Sequence, residues 1–285
     1  DGGIVGVPEQ MSLSPSGSPA EAQSLAGLWK YAVEETWPSQ QIPTALYSGM
    51  VAPWIQFPIA GIIWYQGESN TGNSVRYRHL LRALVAGWRM AWKQPDLPFL
   101  VVQLPNYKKE NPEPGESDWA ALREGQALVA AETPNAEVAV TIDLGEADNI
   151  HPKNKQDVGL RLALLALAKV YHHKLAYSGP LCDGVKIEGS TLRLHFAHVG
   201  KGLVAQGGVL KGFAIAGADR RFVWANAVID GDTVTVSSDK VTAPIALRYA
   251  WADNPVCNLT NSEGFPAAPF RTEGSTVIPG IKAGQ

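Results

Sequence analysis

Three apolar runs, each followed by a segment with the periodicity of a helix, limit this chain to a few architectures. The runs are rich in β-branched residues, which favours buried strands covered on both faces; they are Ile59–Tyr65, Pro98–Leu104 and Ala136–Ile142. Apolar residues at helical spacing follow each run, over about 75–92, 119–132 and 155–171. Asn154 is a candidate N-cap of the third helix. Strands that alternate with helices in this way predict a parallel sheet with helices on both faces.

The composition changes near residue 178, beyond which short segments rich in β-branched residues are separated by glycines. Asp230-Gly231-Asp232 is a tight-turn signal between two of these segments. The predicted strands are Thr191–Ala197, Phe222–Asp230, Thr233–Ser237 and Ile245–Trp251. We therefore predict an α/β domain over residues 1–178, an antiparallel β-sandwich domain over 179–275 and a flexible tail over 276–285.

Charge and cysteine content exclude several classes of function. The chain has 24 Lys+Arg and 27 Asp+Glu, scattered along its length, so no basic stripe for nucleic acid is present. No apolar run approaches the roughly 20 residues that a membrane span needs. Cys182 and Cys257 cannot form a zinc site by themselves, and sequence leaves open whether they form a disulfide. We expect no metal site.

Three loops are candidates for the functional site because each follows a predicted strand. Ligands of open parallel sheets bind beyond the carboxyl ends of the strands. The loops are Gln66–Asn70, Pro105–Tyr107 and Asp143–His151. We expect all three to lie along one edge of the sheet.

Two of these loops carry residues suited to acyl chemistry. Asp148, three residues before His151, could orient the imidazole as a general base, although a loop-stabilising Asp beside an ordinary exposed His explains the same spacing. The side chain of Gln66 could donate to an oxyanion. The alternative for that loop is a strand-terminating turn, in which Gly67 permits the bend and Glu68 caps the next helix.

Six motifs together resemble the sialate O-acetylesterase family of the SGNH hydrolase superfamily. They read LYSGM from Leu46, GIIWYQGESN from Gly61, DNIHPKNKQ from Asp148, GFAIAG from Gly212, RYAWADNP from Arg248 and PFR from Pro269. The resemblance covers residues 17–271. It implies a flavodoxin-like α/β sheet of the SGNH type with a C-terminal antiparallel β domain, and it favours a secreted or periplasmic location.

The resemblance also implies an activity and its residues. The activity is a serine esterase that removes acetyl groups from O-acetylated sugars without a metal or organic cofactor. His151 is then the general base, Asp148 orients it, and Gln66 is an oxyanion donor, with Glu68 and Asn70 beside it as substrate-site candidates. Gly17 stands where the family's glycine block contributes a backbone N–H, but Ser16 replaces the first glycine of that block.

The family's nucleophile, the Ser of a Gly-Gln-Ser-Asn-Met block on the first strand, has no counterpart in this sequence. Ser69 is a substitute candidate, although Trp64-Tyr65-Gln66 before it matches the oxyanion block instead. Without a first strand, the run Ile59–Tyr65 would present an unpaired apolar edge. We therefore expect a second chain or segment that carries the nucleophile, or a homo-oligomer.

A second function of another class remains open from the sequence. A chain without a nucleophile could be a non-catalytic glycan-binding or structural protein. In that case the β domain, or exposed aromatic residues such as Tyr107 and Trp119, would contact sugar, although both residues could equally be packing residues.

Overall fold

The computed structural model describes residues 42–273 and two short strands near the start of the chain. These strands, β1 (Ser12–Leu13) and β2 (Gln23–Ser24), pair antiparallel with Ser12 opposite Ser24. The chain divides into two compact units, residues 1–54 and 55–285. Gly17 and the predicted tail over 276–285 lie outside the described residues.

The second unit contains the predicted alternation of strands and helices. Three parallel strands lie in the order β3-β4-β5. The strands are β3 (Ile62–Trp64), β4 (Phe99–Val102) and β5 (Ala136–Ala139), and the helices that follow them are α1 (Ser74–Trp92), α2 (Asp118–Glu132) and α3 (Lys155–Lys169). None of the helices in the described residues is long and apolar enough to cross a bilayer.

Each helix begins at a polar side chain that accepts a backbone N–H of the first turn. The caps are Asn73, Ser117 and Asn154, and the Asn154 side chain accepts from the Asp157 N–H as the sequence predicted. Such caps are worth about 1 kcal/mol each because they satisfy amides that the helix itself leaves unpaired. The local sequence therefore sets where each helix starts.

Strand β4 lies at the centre of the sheet, and all its side chains are buried. Phe99 and Val101 pack with residues of α1 and α2, whereas Leu100 and Val102 pack with residues of α3. Each such burial contributes about 1.5–3 kcal/mol. The result is a sheet with helices on both faces.

Strand β3 differs from the prediction of a strand covered on both faces. Ile62 is buried, but Ile63 is 68% exposed, so that prediction is wrong for Ile63. Strand β3 is an edge strand within the described residues, because β4 is its one partner there. An apolar side chain therefore lies exposed on this edge strand.

Two four-stranded antiparallel sheets form the core of the second half, in the orders β11-β12-β7-β6 and β10-β9-β13-β15. A separate short pair joins β14 to β8. Facing apolar side chains of the two larger sheets share one core, typified by Leu194, Val234, Ile215 and Leu247. The strands are β6 (Leu181–Glu188), β7 (Thr191–Ala197), β8 (Leu203–Ala205), β9 (Phe213–Ala216), β10 (Val223–Trp224), β11 (Asn226–Asp230), β12 (Thr233–Ser237), β13 (Ala246–Tyr249), β14 (Leu259–Asn261) and β15 (Phe270–Arg271).

The β11–β12 hairpin turns at Asp230-Gly231-Asp232, as predicted, with Gly231 at φ 61°. The predicted strand Phe222–Asp230 is instead two strands in different sheets, β10 and β11. They separate at Ala225, whose N–H donates to the Phe213 carbonyl. The division between domains near residue 178 stays a prediction.

The two cysteines are not paired. Cys182 and Cys257 are both free thiols. Burial raises the pKa of Cys182 to about 12 and that of Cys257 to about 11. Both sulfur atoms therefore remain protonated and poorly nucleophilic near neutral pH.

Candidate active site

The carboxyl ends of the three parallel strands lead into the three loops that the sequence singled out. Strand β3 runs into the Gln66 turn, β4 into Pro105–Tyr107 and β5 into residues 143–151. Parallel strands end at the same side of a sheet, so these loops share one edge. The candidate site is built from this edge.

The Gln66 turn is held by two buried side chains, those of Tyr77 and Gln126. Its carbonyl accepts the Tyr77 hydroxyl at 2.9 Å and the Gln126 Nε2 at 3.2 Å. The Gln66 side chain donates through Nε2 to Asn70 Oδ1 at 2.9 Å. An amide nitrogen carries two hydrogens, so one N–H of Gln66 remains available for a substrate oxygen.

The next residue requires glycine. Gly67 has φ 154°, and a Cβ there would lie 2.8 Å from the Leu122 Cδ2 atom. The Gly67 N–H donates to Glu68 Oε2 at 2.9 Å, so the Glu68 carboxylate caps its own turn. Glu68 thereby stabilises the turn, which continues as a 3-10 helix over Glu68–Asn73.

Ser69, the substitute nucleophile candidate, is exposed on this 3-10 helix. Within the described residues, its hydroxyl makes no hydrogen bond to His151 or to another side chain. A nucleophilic serine needs a base within hydrogen-bond reach, although such bonds are often long before substrate binds. The role of Ser69 stays a prediction.

Glu146 organises the loop that carries the candidate base. Its carboxylate accepts the Lys153 N–H at 2.6 Å and the Asn149 Nδ2 at 3.2 Å. These two hydrogen bonds, the Lys153 bond first, lower the pKa of Glu146 below its ordinary value of 4.5. The Glu146 carboxylate thus joins the beginning of this loop to Lys153, which lies just before α3.

Asp148 and His151 both lie on the exposed side of this loop. The His151 backbone N–H donates to Asn149 Oδ1 at 3.0 Å, which fixes the turn between them. The two side chains are not hydrogen-bonded to each other in the described part of the chain. The assignment of Asp148 as the orienting acid therefore stays a prediction, and the imidazole is free to contact an incoming group.

Asn106 connects this loop to the antiparallel half. Its Oδ1 accepts the Gly145 N–H at 2.7 Å, and its Nδ2 donates to Asn254 Oδ1 at 2.8 Å. A Cβ at Gly145 would overlap the Asn106 carbonyl, so the loop begins with a glycine that permits this close approach. The start of the His151 loop is positioned through Asn106.

Arg123 of α2 lies beneath the same junction and is completely buried. Its guanidinium donates to the carbonyls of Leu104 and Ala252 at 2.7 Å and to those of Pro105 and Asp253 at 2.8 Å. Burial lowers its pKa to about 9, so it remains charged at neutral pH. We call this arrangement the Arg123 clamp: one cation holds the Pro105–Tyr107 loop against residues 252–253.

Asp253 strengthens the same junction from its side chain. Although burial acts to raise its pKa, hydrogen bonds from Lys108 and Ser117 bring that pKa below its usual value. The Lys108 Nζ lies 2.7 Å from one carboxylate oxygen, and the Ser117 hydroxyl lies 2.5 Å from the other. A segment of the antiparallel half therefore forms part of the support for the candidate site.

The two aromatic residues named for sugar contact pack on each other. Trp119 is buried rather than exposed, and its Nε1 donates to the Pro105 carbonyl at 2.8 Å. The half-buried Tyr107 ring lies 5.1 Å from the Trp119 ring. The expectation of an exposed Trp119 is wrong, because this ring supports the loop from below.

Sequence reasoning missed Asn106, Arg123 and Glu146. An arginine inside a helix, next to the apolar Leu122, was a visible signal for a buried cation. Nothing in the sequence indicated Asn106 or Glu146 beyond their positions in two of the candidate loops. No group of three or more His, Cys, Asp or Glu side chains suited to a metal ion occurs among the described residues.

Comparisons with known proteins give one consistent family. A solved structure of a carbohydrate acetylesterase from Xanthomonas citri is 45% identical with a TM-score of 0.77, over 82% of this chain and 55% of that chain. The sialate O-acetylesterases of Pongo abelii and Homo sapiens are each 30% identical over 80% of this chain. The chain spans about half the length of these curated relatives, 48% in both cases.

These comparisons confirm the resemblance that the motifs indicated, and the predicted fold class of a parallel α/β sheet with an antiparallel β domain. Residues 20–168 match the family described as "Carbohydrate esterase, sialic acid-specific acetylesterase". Since this match extends over more than half of the 285 residues, the chain belongs to the sialic acid-specific acetylesterase family of carbohydrate esterases.

Proposed function

We propose that this protein is a serine-type carbohydrate O-acetylesterase that removes acetyl groups from O-acetylated sugars. The observation that carries the proposal is the arrangement at the sheet edge, where a Gln66 amide with a spare N–H follows β3 and the His151 loop follows β5, the two strands that flank β4. Family membership supports the same reaction class. No step of this mechanism calls for a metal or an organic cofactor.

The serine, His151 and Gln66 each have one role in the proposed deacetylation. A serine Oγ attacks the acetyl carbonyl carbon while His151 takes the serine proton, and the carbonyl oxygen becomes an oxyanion that Gln66 Nε2 stabilises. The tetrahedral intermediate collapses, and the protonated imidazole returns the proton to the departing sugar oxygen. Water then attacks the acetyl-serine, again with His151 as base, and releases acetate.

Asp148 is proposed to orient the imidazole when the site is complete. Its carboxylate lies on the same exposed turn as His151, three residues earlier. Such a carboxylate fixes the tautomer of the base and stabilises the imidazolium that forms during attack.

The proposed source of the nucleophile is a strand that pairs with the open edge of β3. Ile62 uses its N–H to bond the Pro98 carbonyl toward β4, so Ile63 directs its backbone groups to the other side. A parallel strand added there would end beside Gln66. We propose that a second chain or segment supplies it, or that a homo-oligomer covers the edge; Ser69 is the alternative within the described residues.

The proposal is tested by acetate release from O-acetylated sialic acid and from acetylated xylo-oligosaccharides. We expect His151→Ala to lose most turnover with an unchanged circular dichroism spectrum, whereas His79→Ala, which removes an exposed histidine of α1, remains active. Equal activity of the two variants would remove His151 from the mechanism.

A fluorophosphonate probe followed by peptide mass spectrometry identifies the serine. Labelling of Ser69 would assign the nucleophile to the described residues, and labelling of a serine on a co-purified chain would assign it to a partner. If no serine is labelled and no acetate is released while glycans still bind, the protein is a non-catalytic glycan-binding chain and the esterase proposal fails.

A further inference from the structure

One side chain at the start of the Gln66 turn packs toward the loop that carries the candidate base. Tyr65 follows β3 directly and precedes Gln66. Its side chain packs against a buried cluster of three residues, Val102, Leu144 and Val158. These residues belong to the end of β4, the start of the His151 loop and the first turn of α3. The Tyr65 ring therefore lies where the end of β3 meets both ends of the His151 loop.

The first residue of α3 contacts the same ring. The Lys155 ammonium lies over the Tyr65 ring, with Nζ 4.6 Å from the ring centroid. Such a cation is attracted by the negative potential of the aromatic face. Lys155 is four residues after His151. The contact therefore connects the far end of the His151 loop to the residue before Gln66.

The other anchors of the two loops are separate. The Gln66 turn is held by hydrogen bonds from α1 and α2, whereas the His151 loop is held by its own Glu146 carboxylate and by an amide of the Pro105–Tyr107 loop. In the part of the chain that the structure describes, no hydrogen bond or ion pair joins residues 66–73 to residues 143–155. The Tyr65 ring thus links two loops that are otherwise anchored independently.

The ring of Tyr65, rather than its hydroxyl, makes these contacts. The hydroxyl oxygen is buried and has no hydrogen-bond partner among the described residues. Burial first, and then the Glu68 carboxylate, raise the pKa of Tyr65 to about 12. The hydroxyl therefore stays protonated near neutral pH and cannot act there as a general base.

The spacing of the two loops matters to the proposed reaction. The Gln66 amide must reach the oxyanion while the His151 imidazole reaches the serine proton, so both groups have to be placed correctly at the same time. A displacement of about 1 Å can cost about 10²-fold in rate. A side chain that links the two loops can therefore affect turnover without touching the substrate.

We propose that Tyr65 is a positioning residue, whose ring fixes the spacing between the Gln66 amide and the His151 imidazole. The ring fills the space between the end of β3 and the first turn of α3, and the Lys155 ammonium holds it there. Without the ring the two loops move independently, and the amide and the imidazole rarely reach one ester together. This inference rests on the proposed esterase function, within which it assigns a role.

Acetate release by the full 285-residue chain, with any chain that co-purifies, measures the effect on catalysis. We expect Tyr65→Leu to lower kcat about 10²-fold with little change in KM, whereas Tyr65→Phe keeps the ring and retains turnover. Lys155→Met should give an intermediate loss, because the ring stays but its cation is removed. Tyr171→Leu, which removes an exposed tyrosine just beyond α3, is the control and should remain active.

The kinetic outcomes separate the positioning role from the esterase proposal. A loss confined to KM, or a loss of turnover in Tyr65→Phe, would overturn the role of the ring. Unchanged turnover in Tyr65→Leu, while His151→Ala is inactive, would overturn the positioning role and leave the esterase proposal standing. Absence of acetate release by the wild type would instead remove the esterase proposal and the positioning role with it.

The NMR signal of the His151 imidazole, observed with isotope-labelled histidine, reports on the loop without turnover. We expect this signal to shift and broaden in Tyr65→Leu and to match the wild type in Tyr65→Phe and Tyr171→Leu, with the circular dichroism spectrum unchanged in all three. An unchanged signal in Tyr65→Leu would refute the inference. If Tyr65→Leu does not fold, Lys155→Met at an exposed residue decides, because a wild-type kcat and a wild-type His151 signal in that variant would also refute it.

Discussion

Replacement of Arg123 by methionine tests whether the Arg123 clamp holds the two halves of the molecule together. Methionine has similar length and no donors, so the carbonyl oxygens of Leu104 and Ala252 lose their partner, whereas those of Pro105 and Asp253 keep the Trp119 Nε1–H and the Tyr107 N–H. At about 2 kcal/mol for each of the two buried acceptors left unpaired, the change should destabilise the fold by about 4 kcal/mol.

The magnitude follows from two opposing contributions of the native arginine. Its pKa, lowered from 12.5 to about 9 chiefly by burial, corresponds to a net cost of about 5 kcal/mol for the charged form. Four charge-assisted hydrogen bonds, at about 1.5 kcal/mol each, offset this with about 6 kcal/mol. The buried guanidinium therefore changes the free energy of unfolding little by itself. The loss of stability in Arg123→Met comes from the carbonyl oxygens that are left unpaired.

Urea unfolding monitored by circular dichroism measures the change, and hydrogen exchange locates it. We expect faster exchange at residues 104–107 and 252–254, and an intermediate loss for Arg123→Lys, whose ammonium cannot reach four carbonyls at once. Arg82→Met, on the exposed face of α1, should cost less than about 1 kcal/mol. An Arg123→Met variant within about 1 kcal/mol of the wild type would refute the clamp.

Two further predictions concern the catalytic edge. Gln66→Ala should lower kcat about 10²–10³-fold with little change in KM, because its spare N–H acts on the oxyanion; a loss confined to KM would contradict that role. Glu146 has a pKa below 4.5, so its carboxylate stabilises the loop at pH values above its unfolded pKa and this is lost as the pH falls through the folded pKa. The protection factors of amides at residues 146–153, which correct for slower intrinsic exchange in acid, should therefore fall as the pH falls below about 4.5, and Glu146→Gln should show lower protection near neutral pH; equal protection in both proteins would refute the role of Glu146.

The sequence predicted those parts of the fold that short stretches of chain determine. The Asn154 cap, the Asp230-Gly231-Asp232 turn and the bounds of Thr191–Ala197 depend on a few neighbouring residues, and each is confirmed. The exposure of Ile63 depends instead on which strand lies beside it. The point at which the chain leaves one sheet and enters the other, Ala225, is likewise determined by tertiary packing.

The candidate site shows the same division. Its loops could be located from strand ends, because parallel strands place their carboxyl ends together. Arg123 could not be assigned, because the Ala252 and Asp253 carbonyls that it meets lie about 130 positions later in the chain. Glu146 was passed over because its partner atoms include a backbone N–H, which sequence does not display.

The Arg123 clamp has a consequence for how this protein can be divided. A fragment that stopped at residue 178 would keep the buried cation and lose two of the four oxygens that receive it. Neither the part before residue 178 nor the part after it could be exchanged for an unrelated domain without replacing α2 as well. Recombination within the gene would therefore have to transfer both parts together.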